Sequence, residues 1–269
     1  MIPTRPMADF QTTYGPWAVV TGASSGIGRA FAEALATRGL NVVLTARREA
    51  ALATLAEALR QTHGVEARVV PADLGTEAGV AAVEGGSADL DVGLLVASAG
   101  FGTSGAFLES DLGDEIAMLD VNVRAVARLT HGVGRRLVAR GRGGIVLLGS
   151  LVGFQGTPFA AHYAATKAYV QTLGEALHVE LAPRGVDVVV SAPGPVDTGF
   201  AEVADMQMGA ALTPDAVVGP TLAALGRRQT VRPGLLTKVL TAGLSPLPRW
   251  ARVRVMGRVM GGMTEHQRA

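Results

Sequence analysis

The stretch Trp17-Ala18-Val19-Val20-Thr21-Gly22-Ala23-Ser24-Ser25-Gly26-Ile27-Gly28 decides the fold. Its first five residues are apolar or β-branched and predict a buried strand. A glycine-rich turn follows, and then an amphipathic helix over about residues 26–38. The same pairing repeats along the chain. Further strands are predicted at 41–45, 67–71, 92–98, 144–149 and 186–191, with helices at about 48–62, 76–83, 112–138 and 160–181. Thr213-Pro214-Asp215 opens another helix, with proline in its favoured first turn, and 230–232 supplies a seventh, edge strand. Runs such as Val186-Asp187-Val188-Val189-Val190 are apolar on nearly every residue, as strands covered on both faces must be. Strand–helix alternation at this spacing implies right-handed crossovers and a Rossmann-like, doubly wound parallel sheet of about seven strands in a single α/β domain.

Composition agrees with that picture. The 269 residues are 48% hydrophobic with few aromatics, enough for one large aliphatic core. A net charge of +1 gives no reason to expect nucleic acid as a partner. With no cysteine there is neither a disulfide framework nor a thiolate metal site, and no metal is expected. The first residues are polar and interrupted by Pro3 and Pro6, without the apolar run of a signal peptide, so a cytoplasmic location is expected. Residues 1–14 are taken as an N-terminal extension, 15–234 as the catalytic domain and 235–269 as a tail. That tail is apolar with Lys238, Arg249, Arg252, Arg254 and Arg258, and has no acid until Glu265. Packing on the domain, over the substrate pocket, or on a partner is the expected use of it; the basic amphipathic pattern with Trp250 at its margin also fits a membrane surface.

The turn at Gly22, Ser24, Ser25, Gly26, Ile27 and Gly28 has chemistry of its own. A diphosphate needs backbone N–H groups aimed at it and no Cβ in the way, and the start of a helix adds partial positive charge. The spacing is G-x-x-x-G-x-G rather than G-x-G-x-x-G. At the end of the second strand an acidic residue would accept from ribose hydroxyls and repel a 2′-phosphate. This chain has Ala46 there, followed by Arg47 and Arg48, whose guanidinium groups suit a phosphate dianion. Two cations at a helix start oppose the helix dipole and so serve some other purpose.

Tyr163-Ala164-Ala165-Thr166-Lys167 places a phenol and an ammonium at i and i+4, on one helical face. A tyrosine titrates near 10 in water, and a fixed cation beside it favours phenolate, which general acid/base chemistry at neutral pH requires. Ser150 ends the fifth strand thirteen residues before Tyr163, at the kind of strand end where a doubly wound sheet holds its ligands. Asn122 falls inside the long helix, where asparagine is a poor former.

Taken together, these motifs resemble those of the classical short-chain dehydrogenase/reductase family over about residues 17–200. The resemblance implies an NADP(H)-dependent oxidoreductase, with the arginines selecting NADP. In it, Asn122, Ser150, Tyr163 and Lys167 form the catalytic set: Tyr163 the acid/base, Ser150 polarising the substrate oxygen, Lys167 lowering the tyrosine pKa and holding the nicotinamide ribose, Asn122 supporting a proton relay through water. It places Asp73 and Leu74 at the adenine, and Pro193, Gly194, Val196 and Thr198 at the nicotinamide. Where the family usually has Asn-Asn-Ala-Gly, this chain reads Ala97-Ser98-Ala99-Gly100; the small residues Ser98, Ala99 and Gly100 still permit close approach to the cofactor, but amide bonds that brace the strands are lost.

By family position Phe101, Ser150, Leu151, Val152, Phe154, Pro158, Pro195 and Phe200 border the substrate, with Met206 and Met208 in a lid. This apolar lining implies a small lipophilic carbonyl or alcohol, and a homo-oligomer, dimer or tetramer, is expected by analogy. His162 is expected to be an ordinary helix residue, because adjacent helical positions diverge by about 100°. A catalytically silent NADP-binding sensor or scaffold of the same fold is the main rival, and the complete set of four speaks against it. A sugar-nucleotide epimerase or dehydratase is the other, and needs a larger C-terminal portion than remains here.

Overall fold

The computed structural model describes residues 10–268; Pro3 and Pro6 of the polar N-terminus lie outside them. In chain order its elements are α1 (Phe10–Tyr14), β1 (Trp17–Thr21), α2 (Gly26–Ala36), β2 (Asn41–Ala46), α3 (Glu49–His63), β3 (Ala67–Pro71), α4 (Glu77–Gly86), β4 (Val92–Ala97), α5 (Leu112–Leu119) and α6 (Val126–Arg140). There follow β5 (Gly143–Leu148), α7 (Ala161–Leu181), β6 (Val186–Ser191), α8 (Phe200–Val203), α9 (Pro214–Ala224), β7 (Thr230–Val231), α10 (Leu235–Leu244) and α11 (Arg249–Met263). The seven strands form one sheet in the order β3-β2-β1-β4-β5-β6-β7, every neighbouring pair parallel. The expected doubly wound α/β domain is therefore the observed one.

Strand alternation explains the two layers of helices. Val20, Leu44, Leu94 and Val146 point to one face, where Phe31 and Leu35 of α2, Leu52 and Leu55 of α3 and Leu222 of α9 cover them. Val19, Val43, Leu95, Ile145 and Val188 point to the other, under Val80 of α4, Leu129 and Val133 of α6 and Val170 of α7. Both faces are sealed, so the strands had to be apolar throughout. Helices stop where the chain can turn left-handed: α3 at Gly64 (φ 68°) and α6 at Gly141 (φ 73°). Thr213 caps α9 by accepting from the Ala216 N–H, with Pro214 next to it.

Two features differ from the sequence reading and a third fills it in. The helix expected over 112–138 is interrupted by one π-helical turn, Asp120–Ala125, between α5 and α6. The extra residue rotates Asn122 inward until it is buried, whereas a regular α-helix would continue its ladder past it. Helix α1 lies within the stretch taken as an extension; Tyr14 is buried and its hydroxyl donates to Asp187 at 2.8 Å. The tail forms two helices, α10 and α11, which fold back over the C-terminal edge of the sheet: the Gly194 N–H donates to Thr237 Oγ1 at 3.1 Å, and the Gln207 N–H to the Met263 carbonyl at 2.9 Å.

Candidate active site

The strand order reverses between β1 and β4, and a cleft of about 1270 Å³ opens above their C-terminal ends. The turn after β1 forms its floor. Gly22 (φ 69°) and Gly26 (φ 54°) take backbone conformations that L-residues rarely adopt. A Cβ on Gly28 would lie 2.3 Å from the Gly22 carbonyl oxygen, and one on Gly26 would lie 2.8 Å from the Thr198 side chain. The Ser25 side chain makes no capping bond to α2, which leaves the helix start to an anion. The loop is thus a cradle that fits a diphosphate.

Every residue expected at the cofactor lines this one cleft: the glycine loop, Arg47, Arg48, Asp73, Leu74, Ser98, Ala99, Gly100, Tyr163, Lys167, Pro193, Gly194, Val196 and Thr198. Arg48 precedes α3 without capping it through its side chain; the guanidinium instead reaches the Ser24 hydroxyl at 3.2 Å. It therefore bridges the phosphate loop and the end of β2. Asp73 uses its carboxylate locally, accepting from the Gly75 N–H at 3.0 Å. The bracing absent from Ala97-Ser98 is supplied from β1: Thr21 Oγ1 accepts from the Ser98 and Ala99 N–H groups, each at 2.9 Å. A Cβ on Gly22 would lie 2.9 Å from Ala99 Cα, so β1 and β4 approach closely beneath the cofactor place.

Ser150, Tyr163 and Lys167 line the same cleft. The Ser150 hydroxyl lies beside the Tyr163 phenol and acts to lower its pKa, and Lys167 Nζ sits 5.8 Å from the centre of the Tyr163 ring. Lys167 is anchored by donating to the Leu148 carbonyl at 2.9 Å, and a Cβ on Gly153 would lie 2.8 Å from the Lys167 backbone, so the turn Leu151–Phe154 packs tightly on α7 here. Electrostatics correct one expectation. Burial pushes the Tyr163 phenol up to about 12, only partly opposed by the neighbouring Ser150, and burial also pulls Lys167 down to about 8. The ammonium lies over the ring and is satisfied by a carbonyl, so desolvation outweighs its attraction for phenolate.

Asn122 stands behind the cleft wall, not on it. Its Oδ1 accepts from the Phe101 N–H at 3.1 Å, while its Nδ2 donates to the Phe101 carbonyl at 2.8 Å and to Thr166 Oγ1 at 3.1 Å. A Cβ on Gly100 would lie 2.8 Å from Asn122 Oδ1 and 3.4 Å from Lys167 Nζ, so the bare glycine keeps the space between those two groups open.

Of the residues expected at the substrate, Phe101, Ser150, Leu151, Val152, Pro195, Phe200, Met206 and Met208 line the cleft. Phe154 does not: the tight turn and the Arg232 guanidinium, stacked 4.5 Å from its ring centre, hold it elsewhere. Pro158 is also away from it, against Gly257 of α11. The tail, expected over the pocket or a partner, supplies lining residues that the sequence reading did not name. Leu236, Leu240, Leu244, Val255, Met256, Val259, Met260 and Met263 of the tail wall the cleft, and Met260 packs with Ala160, Ala204 and Met206 beside Tyr163 and Phe200. Apolar residues at helical spacing in the tail were the available signal. Gly102 was missed too; a Cβ there would meet the Phe200 ring at 2.6 Å and the Tyr163 ring at 3.1 Å. His162 faces away, stacked on Phe107 and 4.0 Å from the buried Glu115 carboxylate.

A family model described as short chain dehydrogenase matches residues 16–208. The chain belongs to the short-chain dehydrogenase/reductase family. It is accordingly an oxidoreductase acting on CH–OH and C=O groups. It is 34% identical over 234 residues to a 7beta-hydroxysteroid dehydrogenase of Clostridium sardiniense, covering 86% of this chain and 90% of that one. Among solved structures, a short-chain dehydrogenase from Sphingobium yanoikuyae in complex with NADPH is 32% identical with a TM-score of 0.78, over 87% of this chain and 97% of that one. A bulky-bulky ketone specific alcohol dehydrogenase from Comamonas testosteroni is 32% identical with a TM-score of 0.75, over 87% and 96%. Among the described residues, no helix of this family member is long and apolar enough to cross a membrane.

Proposed function

We propose that this short-chain dehydrogenase is an NADP(H)-dependent reductase of bulky, lipophilic ketones, with Tyr163 as its general acid. The observation that carries the proposal is the grouping of Ser150, Tyr163 and Lys167 in one cleft that apolar tail residues also wall. Arg47 and Arg48 hold a 2′-phosphate, and the glycine cradle from Gly22 to Gly28 holds the diphosphate. The NADPH solved with the Sphingobium relative supports that choice of nucleotide. Bound NADPH supplies the hydride.

This chain's own residues handle the proton. Burial keeps the Tyr163 phenol protonated at neutral pH, the form needed to donate to a substrate oxygen as that oxygen gains charge. Ser150, beside the phenol in the same cleft, donates to the same oxygen. Lys167, fixed by Leu148, would hold positive charge near the phenolate left behind and would hold the nicotinamide ribose. Asn122 fixes Gly100 and Phe101, and thereby the width of the gap beside Lys167.

A lipophilic substrate follows from the wall. Met206, Met208, Met256, Met260 and Met263 offer adaptable apolar surface. The relatives named for a hydroxysteroid and for bulky ketones support this size class. Screening NADPH consumption against a panel of hydrophobic ketones, with small hydrophilic ones for comparison, tests the reading. Selective consumption with the bulky members is expected; none with any of them would refute it.

A further inference from the structure

Helices α10 and α11 carry two unlike faces. Inward, Leu240, Leu244, Met256 and Met260 wall the cleft. Outward, Leu235 (78% exposed), Val239 (59%) and Trp250 (63%) stand in solvent, interleaved with the exposed cations Lys238, Arg249, Arg254 and Arg258. Residues 235–263 hold five cations and no acid, so a chain of net +1 carries a net −4 elsewhere. Within the described residues none of the four exposed cations enters an ion pair. Arg254 rests on the Trp250 ring, 5.0 Å from its centre.

The two faces meet at Leu236 and Val259. Each lines the cleft, and each is about half exposed, at 51% and 43%. They form part of the rim, which puts the outward faces of both helices beside an opening of the cleft.

We propose that these outward faces dock on an anionic lipid bilayer, with the mouth of the cleft against the membrane. Charge decides between occupants. A second copy of the chain seated symmetrically on this face would bring two acid-free cationic surfaces together. Nucleic acid would match the cations but leave Leu235, Val239 and Trp250 without apolar partners. A bilayer surface answers both: the headgroup boundary accepts tryptophan and aliphatic side chains, and anionic headgroups accept lysine and arginine. Docked in this way, the enzyme takes a lipophilic carbonyl from the membrane without its crossing bulk water. Docking goes beyond the reductase reading and does not depend on it, since the test below reads binding and not turnover.

The test floats the full chain, with NADPH, on vesicles of phosphatidylcholine alone and of phosphatidylcholine containing roughly a third phosphatidylglycerol. The protein should rise with the anionic vesicles, far less with the neutral ones, and high salt should release it. Reversing Lys238→Glu, Arg254→Glu and Arg258→Glu together should weaken vesicle binding by roughly a hundredfold or more. NADPH affinity measured without vesicles should stay at the wild-type level, since none of the three side chains lines the cleft. Trp250→Ala, which alters no charge, should weaken binding by about tenfold. The proposal is overturned if the wild-type chain stays unbound with anionic vesicles at low salt, or if the triple variant floats equally well. It is also overturned if those reversals abolish self-association or nucleic-acid binding while vesicle binding is absent.

Discussion

Asn122 and Phe101 hold each other through two hydrogen bonds, side-chain oxygen to backbone N–H at 3.1 Å and side-chain amide to backbone carbonyl at 2.8 Å. The pairing ties the π-helical turn to the loop leaving β4, and a third bond to Thr166 ties both to the helix that carries Tyr163 and Lys167. Three segments distant in sequence are fixed at one buried side chain. Asn122→Leu removes all three bonds and leaves the Phe101 N–H and carbonyl unpaired, at a cost of about 1–3 kcal/mol for each group that stays buried. Denaturant unfolding should show that loss in the midpoint, and activity should fall with kcat more than with KM, because the groups around Lys167 shift while the apolar wall stays.

Burial places Lys167 at about 8 against 10.5 in an unfolded chain. The sign follows from proton counts. Between those two values the unfolded chain binds more protons, so the charged, buried ammonium costs stability in full below pH 8, and the cost fades as pH rises toward 10.5. The penalty is roughly 3 kcal/mol, offset by about 1 kcal/mol for the bond to Leu148. Lys167→Met should therefore raise the melting temperature of the ligand-free protein at pH 7 by a few degrees, with the gain shrinking toward pH 10.5, while turnover is lost. An unchanged or lowered melting temperature at pH 7 would contradict that placement of the ammonium.

Arg47 and Arg48 are the two cations facing the end of β2. Replacing both by glutamate should weaken NADPH binding by at least about a hundredfold and leave NADH binding within a few fold, since charge-assisted bonds to phosphate are worth roughly 1.5–3 kcal/mol each. Fluorescence titration with the two nucleotides reads the difference. Equal losses for both would mean the arginines serve the fold and not the 2′-phosphate.

Gly28 lies where the first turn of α2 passes the Gly22 carbonyl, 2.3 Å from the position of an added Cβ. That contact is with backbone, which cannot swing aside. Gly28→Ala should distort the cradle and reduce nucleotide affinity by more than tenfold, with melting temperature lowered as well. Gly64→Ala, at an open surface position, is the matched comparison and should affect stability alone.

How far the sequence was legible follows from the kind of interaction involved. Strands such as Val186–Ser191 were visible because a strand sealed on both faces must be apolar throughout. Ser150, Tyr163 and Lys167 were visible because a strand end and an i, i+4 pair set their positions locally. The π-helical turn was not, because the bonds that stabilise it, Asn122 to Phe101 and Thr166, come from elsewhere in the chain. Nor was the direction of the Tyr163 shift: the residue spacing shows the cation, but the desolvation that outweighs it depends on how the walls close. Met256 and Met260 read as part of an amphipathic tail, and only the folded chain shows which side of that tail is the cleft. Phe154 was misplaced for the same reason, since Arg232 competes for its ring.

The central claim is that one phenol, set in the cleft with Ser150 and Lys167, gives the proton during ketone reduction. Tyr163→Phe removes that oxygen and little else. In one experiment NADPH affinity and NADPH consumption with a bulky hydrophobic ketone are measured on the variant and the wild-type enzyme. The account predicts wild-type affinity for NADPH with turnover reduced by at least about a thousandfold. A variant that binds NADPH normally and still reduces the ketone at the wild-type rate would contradict it.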